Sequence, residues 1–234
     1  MLVMQQDGDS DRINIAIDGP AGAGKSTVAR KVAEQLDYIY IDTGAMYRAV
    51  TLSAQRAGIE PRDNERLAEH AKTLDIKLAP GDKGQAVFLN GENITDLIRS
   101  REVTLAVSHI AANETVREML SKLQRQLAER KGVVMDGRDI GSHVLPGAEL
   151  KIFLTASVQE RAQRRYKEIA GTQSITLEQL EREIAERDRL DEQREISPLI
   201  CAKDAIVLDS TSMSIDEVAA SIVKLSRTKL AEAK

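Results

Sequence analysis

No stretch of this 234-residue chain restricts its fold more than IDGPAGAGKST, Ile17 to Thr27. Gly19, Gly24, Lys25 and Ser26 fit the pattern G-x-x-x-x-G-K-[ST], and the context fits too: the apolar run INIAID precedes it and a helical pattern from Lys25 to Leu36 follows. Glycines let successive backbone N–H groups curl around an anion. The following helix offers unpaired amides and the positive end of its dipole. A strand must therefore run straight into a helix, which commits the chain to an α/β fold. Gly19, Pro20, Ala21, Gly22, Ala23, Gly24, Lys25, Ser26 and Thr27 are the expected cradle for nucleotide phosphates, with Lys25 reaching the terminal ones and Ser26 or Thr27 near Mg2+.

Four further apolar runs have the length and β-branched character of buried parallel strands: YIYID from Tyr38, VVMD from Val133, LKIFL from Leu150 and AIVLD from Ala205. With INIAID they make five, of which four end in aspartate. Helical patterns over 115–130, 158–169, 176–192 and 215–230 alternate with them. Strands alternating with helices imply a parallel sheet covered on both faces, with functional loops and these aspartates at the carboxyl ends of the strands. The middle third breaks the alternation. There Pro80-Gly81 and Asn90-Gly91, the latter between Val87-Phe88-Leu89 and a run containing Ile94, predict a small antiparallel insert. AGTQSIT, from Ala170, interrupts two helical segments and is expected to be the tip of a mobile hairpin.

A formal net charge of −4 argues against a broadly basic nucleic-acid binder, so any polyanion should be small and locally bound. The one cysteine, Cys201, has no thiol partner and is expected to be buried or inert. The N-terminus lacks a basic flank followed by an apolar core, and no run approaches the ~18 apolar residues of a membrane span; the expected compartment is the cytoplasm, with no membrane partner.

Phosphate binding alone leaves switch, motor and kinase open. The Asp-x-x-Gly and Asn/Thr-Lys-x-Asp patterns of a GTPase switch do not occur. Asp136, closing VVMD, is either a partner for the magnesium shell or a plain strand-end turn residue. DTGAMYRAV places Thr43, Tyr47 and Arg48 at a helix start that can hold a second anion, though a threonine cap with an exposed arginine also accounts for it. In DGRDIGSHVLP, Arg138 and Asp139 sit beside glycines that bring the backbone close. On the helix LEQLEREIAERDRLDEQREISPL, the apolar stripe of Leu180 and Ile184 continues by steps of three or four to Arg187, Asp191 and Arg194. Charges then replace leucines on an inward face, unless the helix is simply solvated and laced with i,i+4 salt bridges, the reading the pattern alone favours.

In combination and order, IDGPAGAGKST, IDTGAMYRA, DGRDIG, KIFLTAS, ERAQRRYKE, ERDRLDEQREISPL and DAIVLDST resemble the bacterial-type cytidylate kinases, a family of P-loop nucleoside monophosphate kinases, from about Asn14 to Leu225. The resemblance implies a three-layer P-loop fold with a five-stranded parallel sheet, a monophosphate-binding lobe enlarged by the antiparallel insert, and a short lid. It implies one domain, with core residues about 12–42 and 110–228, lobe about 43–109 and lid about 163–175. The implied reaction moves a phosphoryl group from Mg-ATP to CMP, with dCMP a second acceptor and UMP a poor one, in a monomer. By similarity, Arg187 and Asp191 hold the pentose, Arg194 lies at the base end, Thr43 and Arg48 contact the acceptor phosphate, Tyr47 helps to form that pocket, and Ser108, Arg117 and Asp139 read cytosine. GSHVLPGA departs from the family's more usual Gly-Thr and Pro-Asp-Ala pattern, which leaves that loop's geometry open.

Chemistry supports the same reading. Cytosine presents an exocyclic amine that the Asp139 carboxylate can accept from, whereas uracil offers an acceptor there. A nucleoside monophosphate is largely ionised at neutral pH, so no general base is needed, and His70, His109 and His143 show neither triad nor metal spacing. Catalysis reduces to positioning and charge neutralisation by Lys25, Mg2+ held near Ser26 and Asp136, Arg138, and lid arginines among Arg161, Arg164 and Arg165. Exclusion of water calls for closure, with motion expected around Gly171 and the insert loops. Rivals are a P-loop kinase for UMP, AMP or a small metabolite, and a nucleotide-binding protein that transfers nothing.

Overall fold

A computed structural model describes residues 12–81, 84–169 and 175–232. The first strand, β1 (Asn14–Asp18), enters helix α1 (Lys25–Leu36) through the glycine turn, and β2 (Ile39–Asp42) leads directly into α2 (Thr43–Arg56). The remaining parallel strands are β6 (Val133–Gly137), β7 (Leu150–Thr155) and β8 (Ile206–Asp209), giving a five-stranded sheet of order β2-β6-β1-β7-β8 with every pairing parallel. The inner strands β1 and β6 are the most deeply buried, as a sheet covered on both faces requires.

Alternate residues of β1 serve the two faces. Ile15 and Ile17 pack with Val28, Val32, Val218 and Ile222, so α1 and the last helix, α8 (Ile215–Glu232), cover one side. Ala16 joins Met135, Ile140 and Ala128 on the other, where α5 (Glu114–Ala128) lies. Register brings Asp42 opposite Asp136, and Asp136 opposite Ile17, so the terminal aspartates of β2, β6 and β1 converge on one edge.

The insert is a three-stranded antiparallel sheet of β3 (Ile76–Gly81), β4 (Gly84–Leu89) and β5 (Glu92–Asn93). Asn90 and Gly91, at φ of 50° and 85°, turn the β4–β5 hairpin with the paired positive φ values that such a two-residue loop demands. Helices α3 (Asn64–Ala71) and α4 (Arg101–Ile110) complete the lobe. Its core is shared with the main sheet's helix: Met46, Leu67, Ile94 and Ile98 pack in one cluster with Val116 and Leu120 of α5. Where β2 lies at the edge of the large sheet, the Gln85 side-chain amide supplies the missing neighbour, donating to Tyr40 O at 2.7 Å and accepting from Asp42 N at 3.0 Å.

Beyond β7, α6 (Val158–Ile169) and α7 (Leu177–Gln193) pair through Ala162, Ile169, Ile175, Leu180 and Ile184. Thr176 caps α7 reciprocally with Gln179, where the sequence predicts the helix start. Gly171 and the rest of 170–174, at the centre of the expected lid tip, lie outside the described residues, as do 1–11. Of the two expectations for Cys201, burial is corrected: it is exposed, because the segment after α7 runs over the surface, while partial burial and the nearby Asp18 charge keep its thiol above its ordinary pKa, in the direction of an inert thiol. Among the described residues no helix is long and apolar enough to cross a membrane.

Ile94 is fully buried between the insert and α5. Ile94→Ala is expected to destabilise the protein by about 2–5 kcal/mol, read as a lower urea midpoint with an unchanged slope.

Candidate active site

Gly19 begins the phosphate loop at φ +144°, pressed so closely on β7 that an added Cβ would lie 1.9 Å from Leu154 O; no other residue fits there. Lys25 opens α1 with its side chain buried and donates to Pro20 O at 2.7 Å. Burial, then the charges of Arg138 and Arg187, pull its ammonium well below the ordinary lysine value, against the opposing pull of Asp136 and Asp18. Ser26 Oγ and Tyr40 Oη donate to the two oxygens of Asp136 at 2.8 and 2.9 Å, and Thr43 Oγ1 donates to the Asp136 carbonyl at 2.7 Å. Burial and the neighbouring Asp42 raise the Asp136 carboxyl to about 6, even with Lys25, Ser26 and Tyr40 stabilising its anion. Asp18, one strand over, is likewise raised to about 6 by burial, while it accepts from the Ile140 and Gly141 amides at 2.8 and 2.7 Å. That grip folds the loop after β6 back over the sheet edge.

Facing this end is a concentration of guanidinium groups. Arg48 donates to Thr104 Oγ1 at 2.7 Å and to Ile98 O at 3.3 Å; burial, with Arg99, Arg138 and Arg165 nearby, lowers its pKa to about 10, although Asp42 opposes. Arg187 is lowered further, to about 9, by burial and then by Arg138 and Arg48. Its Nε is sealed from solvent without a partner, and among the described residues its guanidinium makes no hydrogen bond or ion pair. Arg138 Nε bonds Asp191 Oδ2 at 2.8 Å, and Ser108 Oγ donates to Asp191 Oδ1 at 3.0 Å. Burial pushes Asp191 up, but Arg138, Arg187 and Arg194 outweigh it and hold the carboxyl below its ordinary range. Cations so crowded and under-compensated describe a pocket for an anion.

A second charged group lies beside Asp191. Asp139 is held on one oxygen by Arg117 and on the other by Arg194 at 3.1 Å, all three side chains being almost wholly buried. Arg194 Nε also donates to Ser197 O at 2.5 Å. The Tyr47 ring lies 5.5 Å from the Arg117 guanidinium. Its hydroxyl is buried without a partner and is pushed up to about 12, chiefly by burial. Tyr47 therefore backs the Arg117–Asp139 pair.

The three arginines of α6 occupy different surroundings. Arg161 is buried, bonded to Ala156 O, Ala21 O and Asp188. Arg164 lies beside the Gly24 end of the loop, donating to Ser210 Oγ and O and to Glu160. Arg165 is half-exposed, paired among the described residues with Glu168 one turn on, and near enough for its charge to be felt at Arg48. His70 bonds Ser53 Oγ at 2.8 Å, away from this edge, and His143 is exposed.

Three further residues of the site have no role assigned by the motifs. Asp188 is reached from Ile184 by a step of four where Arg187 takes the step of three, and both face inward; the spacing held that alternative. Asp18 was legible only as a strand-ending aspartate, and Tyr40, an apolar-run residue, gave no sign that its hydroxyl meets Asp136.

A glycine phosphate loop facing a pocket of arginines across one sheet edge defines a P-loop kinase. The chain belongs to the cytidylate kinase family, whose model, described as Cytidylate kinase, matches residues 15–228. It is 56% identical over 220 residues to a cytidylate kinase of Lysinibacillus sphaericus (93% of this chain, 98% of the relative) and 55% identical over 214 residues to that of Bacillus subtilis (91% and 96%). In fold it is also similar, with a TM-score of 0.51 and 13% identity over 93% of this chain and 99% of the other, to an uncharacterized protein from Eubacterium ventriosum.

A carboxyl raised to about 6 favours folding below its unfolded pKa and loses that contribution as pH rises through 6. The stability difference, Asp136→Asn minus wild type, is therefore expected to be more favourable to the variant at pH 7.5 than at pH 4.5. Urea unfolding of both proteins at the two pH values measures it.

Proposed function

We infer that the chain transfers the γ-phosphoryl group of ATP to CMP, giving ADP and CDP, with dCMP as a second acceptor. The observation that carries this reading is the convergence of Arg48, Arg138 and Arg187 on the end of the loop that holds Lys25, with the Arg117–Asp139–Arg194 group set beside them. The phosphate loop receives the triphosphate. Across from it, the acceptor phosphate takes the place among Arg48, Arg138 and Arg187 where charge is uncompensated, and Asp191 with Arg187 holds the pentose. Asp139 accepts from the cytosine amine while Arg117 and Arg194 face its acceptors; uracil would set an acceptor against the carboxylate.

No side chain needs to remove a proton, because the acceptor phosphate has its second pKa near ~6 and is mostly dianionic at neutral pH. The protein's work is to hold donor and acceptor in line and to neutralise the moving group. Lys25 and Arg138 are placed for that, and Arg165, the least engaged of the α6 arginines, completes the set when the lid closes over the site. Ser26 Oγ and Asp136 Oδ2, 2.8 Å apart, are hard oxygen donors of the kind Mg2+ takes alongside phosphate oxygens. When bound, Mg2+ supplies further neutralisation along the phosphates. We read the active chain as a monomer.

Incubation with Mg-ATP and each of CMP, dCMP, UMP and AMP, followed by separation of the diphosphates, tests the reading: CDP and dCDP are expected, and selective formation of ADP from AMP, or no acceptor-dependent product, would reject it. Asp139→Ala is expected to lower kcat/KM for CMP by tenfold or more, about 1–3 kcal/mol for a good base contact, while ATP affinity stays within twofold. Arg187→Met should stabilise the nucleotide-free protein by ~1 kcal/mol, since an unpaired buried polar group is removed. It should also abolish the rise in Tm that CMP gives the wild type.

A further inference from the structure

Among the described residues, two buried ion pairs anchor α7 to the site, and of these Arg138–Asp191 belongs to the acceptor side. The other joins Arg161 of α6 to Asp188 of α7, NH1 to Oδ2 at 2.5 Å, with the side chains only 5% and 11% exposed. Each partner makes a further bond to the same residue of the phosphate loop. Asp188 Oδ1 accepts from Ala21 N at 3.0 Å, and Arg161 NH1 donates to Ala21 O at 2.8 Å. Arg161 Nε is fixed to Ala156 O, just past β7, at 2.9 Å, so the guanidinium is tied to the sheet as well as to the loop. The next loop residue, Gly22, packs against the same side chain: a Cβ added there would lie 3.3 Å from Arg161 Cβ.

Both main-chain hydrogen-bonding groups of Ala21 are thus held from outside the cradle. A buried ion pair adds little net stability once desolvation is counted, so its placement calls for another reason. Oriented amides bind an anion best when they are aimed before it arrives. We propose that Arg161 and Asp188 are positioning residues that keep the Ala21–Gly22 tip of the phosphate loop in its anion-receiving shape. They do so from the helix whose Arg187 and Asp191 serve the acceptor. Arg161 then acts on the loop and not on the moving phosphoryl group. The proposal rests on the reading of the chain as an ATP:CMP phosphotransferase.

Asp188→Ala removes the ion pair and the bond to Ala21 N; Asp188→Asn keeps an acceptor for that N–H and loses the charge. Asp188→Ala is expected to raise KM for ATP at least tenfold with KM for CMP within twofold, and Asp188→Asn to recover most of the ATP value. A pair that only fastens α6 to α7 would move both KM values together, because Arg187 and Asp191 ride on the same helix, and that result overturns the proposal. So does unchanged or tighter ATP binding, which would mean that Asp188 withholds Arg161 from phosphate. Should Asp188→Ala fail to fold, Arg161→Lys decides by titration calorimetry: ADP bound tenfold more weakly with CMP unchanged supports the pair's role, and unchanged ADP binding removes it. A wild-type protein that makes no CDP fails the parent reading, while the ADP titration still decides this one.

Discussion

Everything in this structure is arranged around the cost of holding positive charges together away from water. Lys25, Arg138 and Arg187 repel one another, and burial makes the repulsion stronger by lowering the dielectric. Carboxylates offset part of it: Asp136 and Asp18 at the strand ends act on Lys25, and Asp191 on α7 acts on Arg138 and Arg187. The offset is incomplete, and the remainder is what draws in phosphate. A more thoroughly neutralised edge would make a firmer protein and a poorer binder.

The fold supplies that edge by topology. Parallel strands of one sheet all end on the same side, so β1, β2 and β6 present Asp18, Asp42 and Asp136 side by side without any special device. Helices starting there add their amides, and the π-turn over Ile140–Val144 is drawn in by Asp18. The lobe contributes from the opposite direction, through Arg48 on α2 and Ser108 on α4, and α5 adds Arg117, all carried on elements with a shared apolar core. Rigid packing therefore sets the separation of the two pockets, and long side chains cover the rest.

The phosphate loop, the parallel strands and the Asn90-Gly91 hairpin were legible because each is a local rule: glycine conformation, continuous apolar runs and a turn of fixed geometry. The inward charges of α7 were not. A helix rich in Glu and Arg has the same spacing whether its arginines meet solvent or a pocket, and pattern alone favours solvent; the tertiary contacts of Asp191 with Ser108 and Arg138 decide it. Long-range partners were illegible for the same reason. Nothing near Tyr40 announces Asp136, 96 residues on, and nothing near Ala21 announces Asp188. Arg161, Arg164 and Arg165 looked equivalent in sequence because their difference lies in which neighbour each meets.

The Gln85 amide beside β2 has a consequence for the chain in company. An outermost strand with free N–H and C=O groups is a template on which another molecule can add a strand. Gln85 occupies Tyr40 O and Asp42 N with a side chain, so the insert shields this margin from self-association without forming a sixth strand of the sheet. That protection belongs to the lobe, and any swing of the insert away from β2 uncovers the margin again.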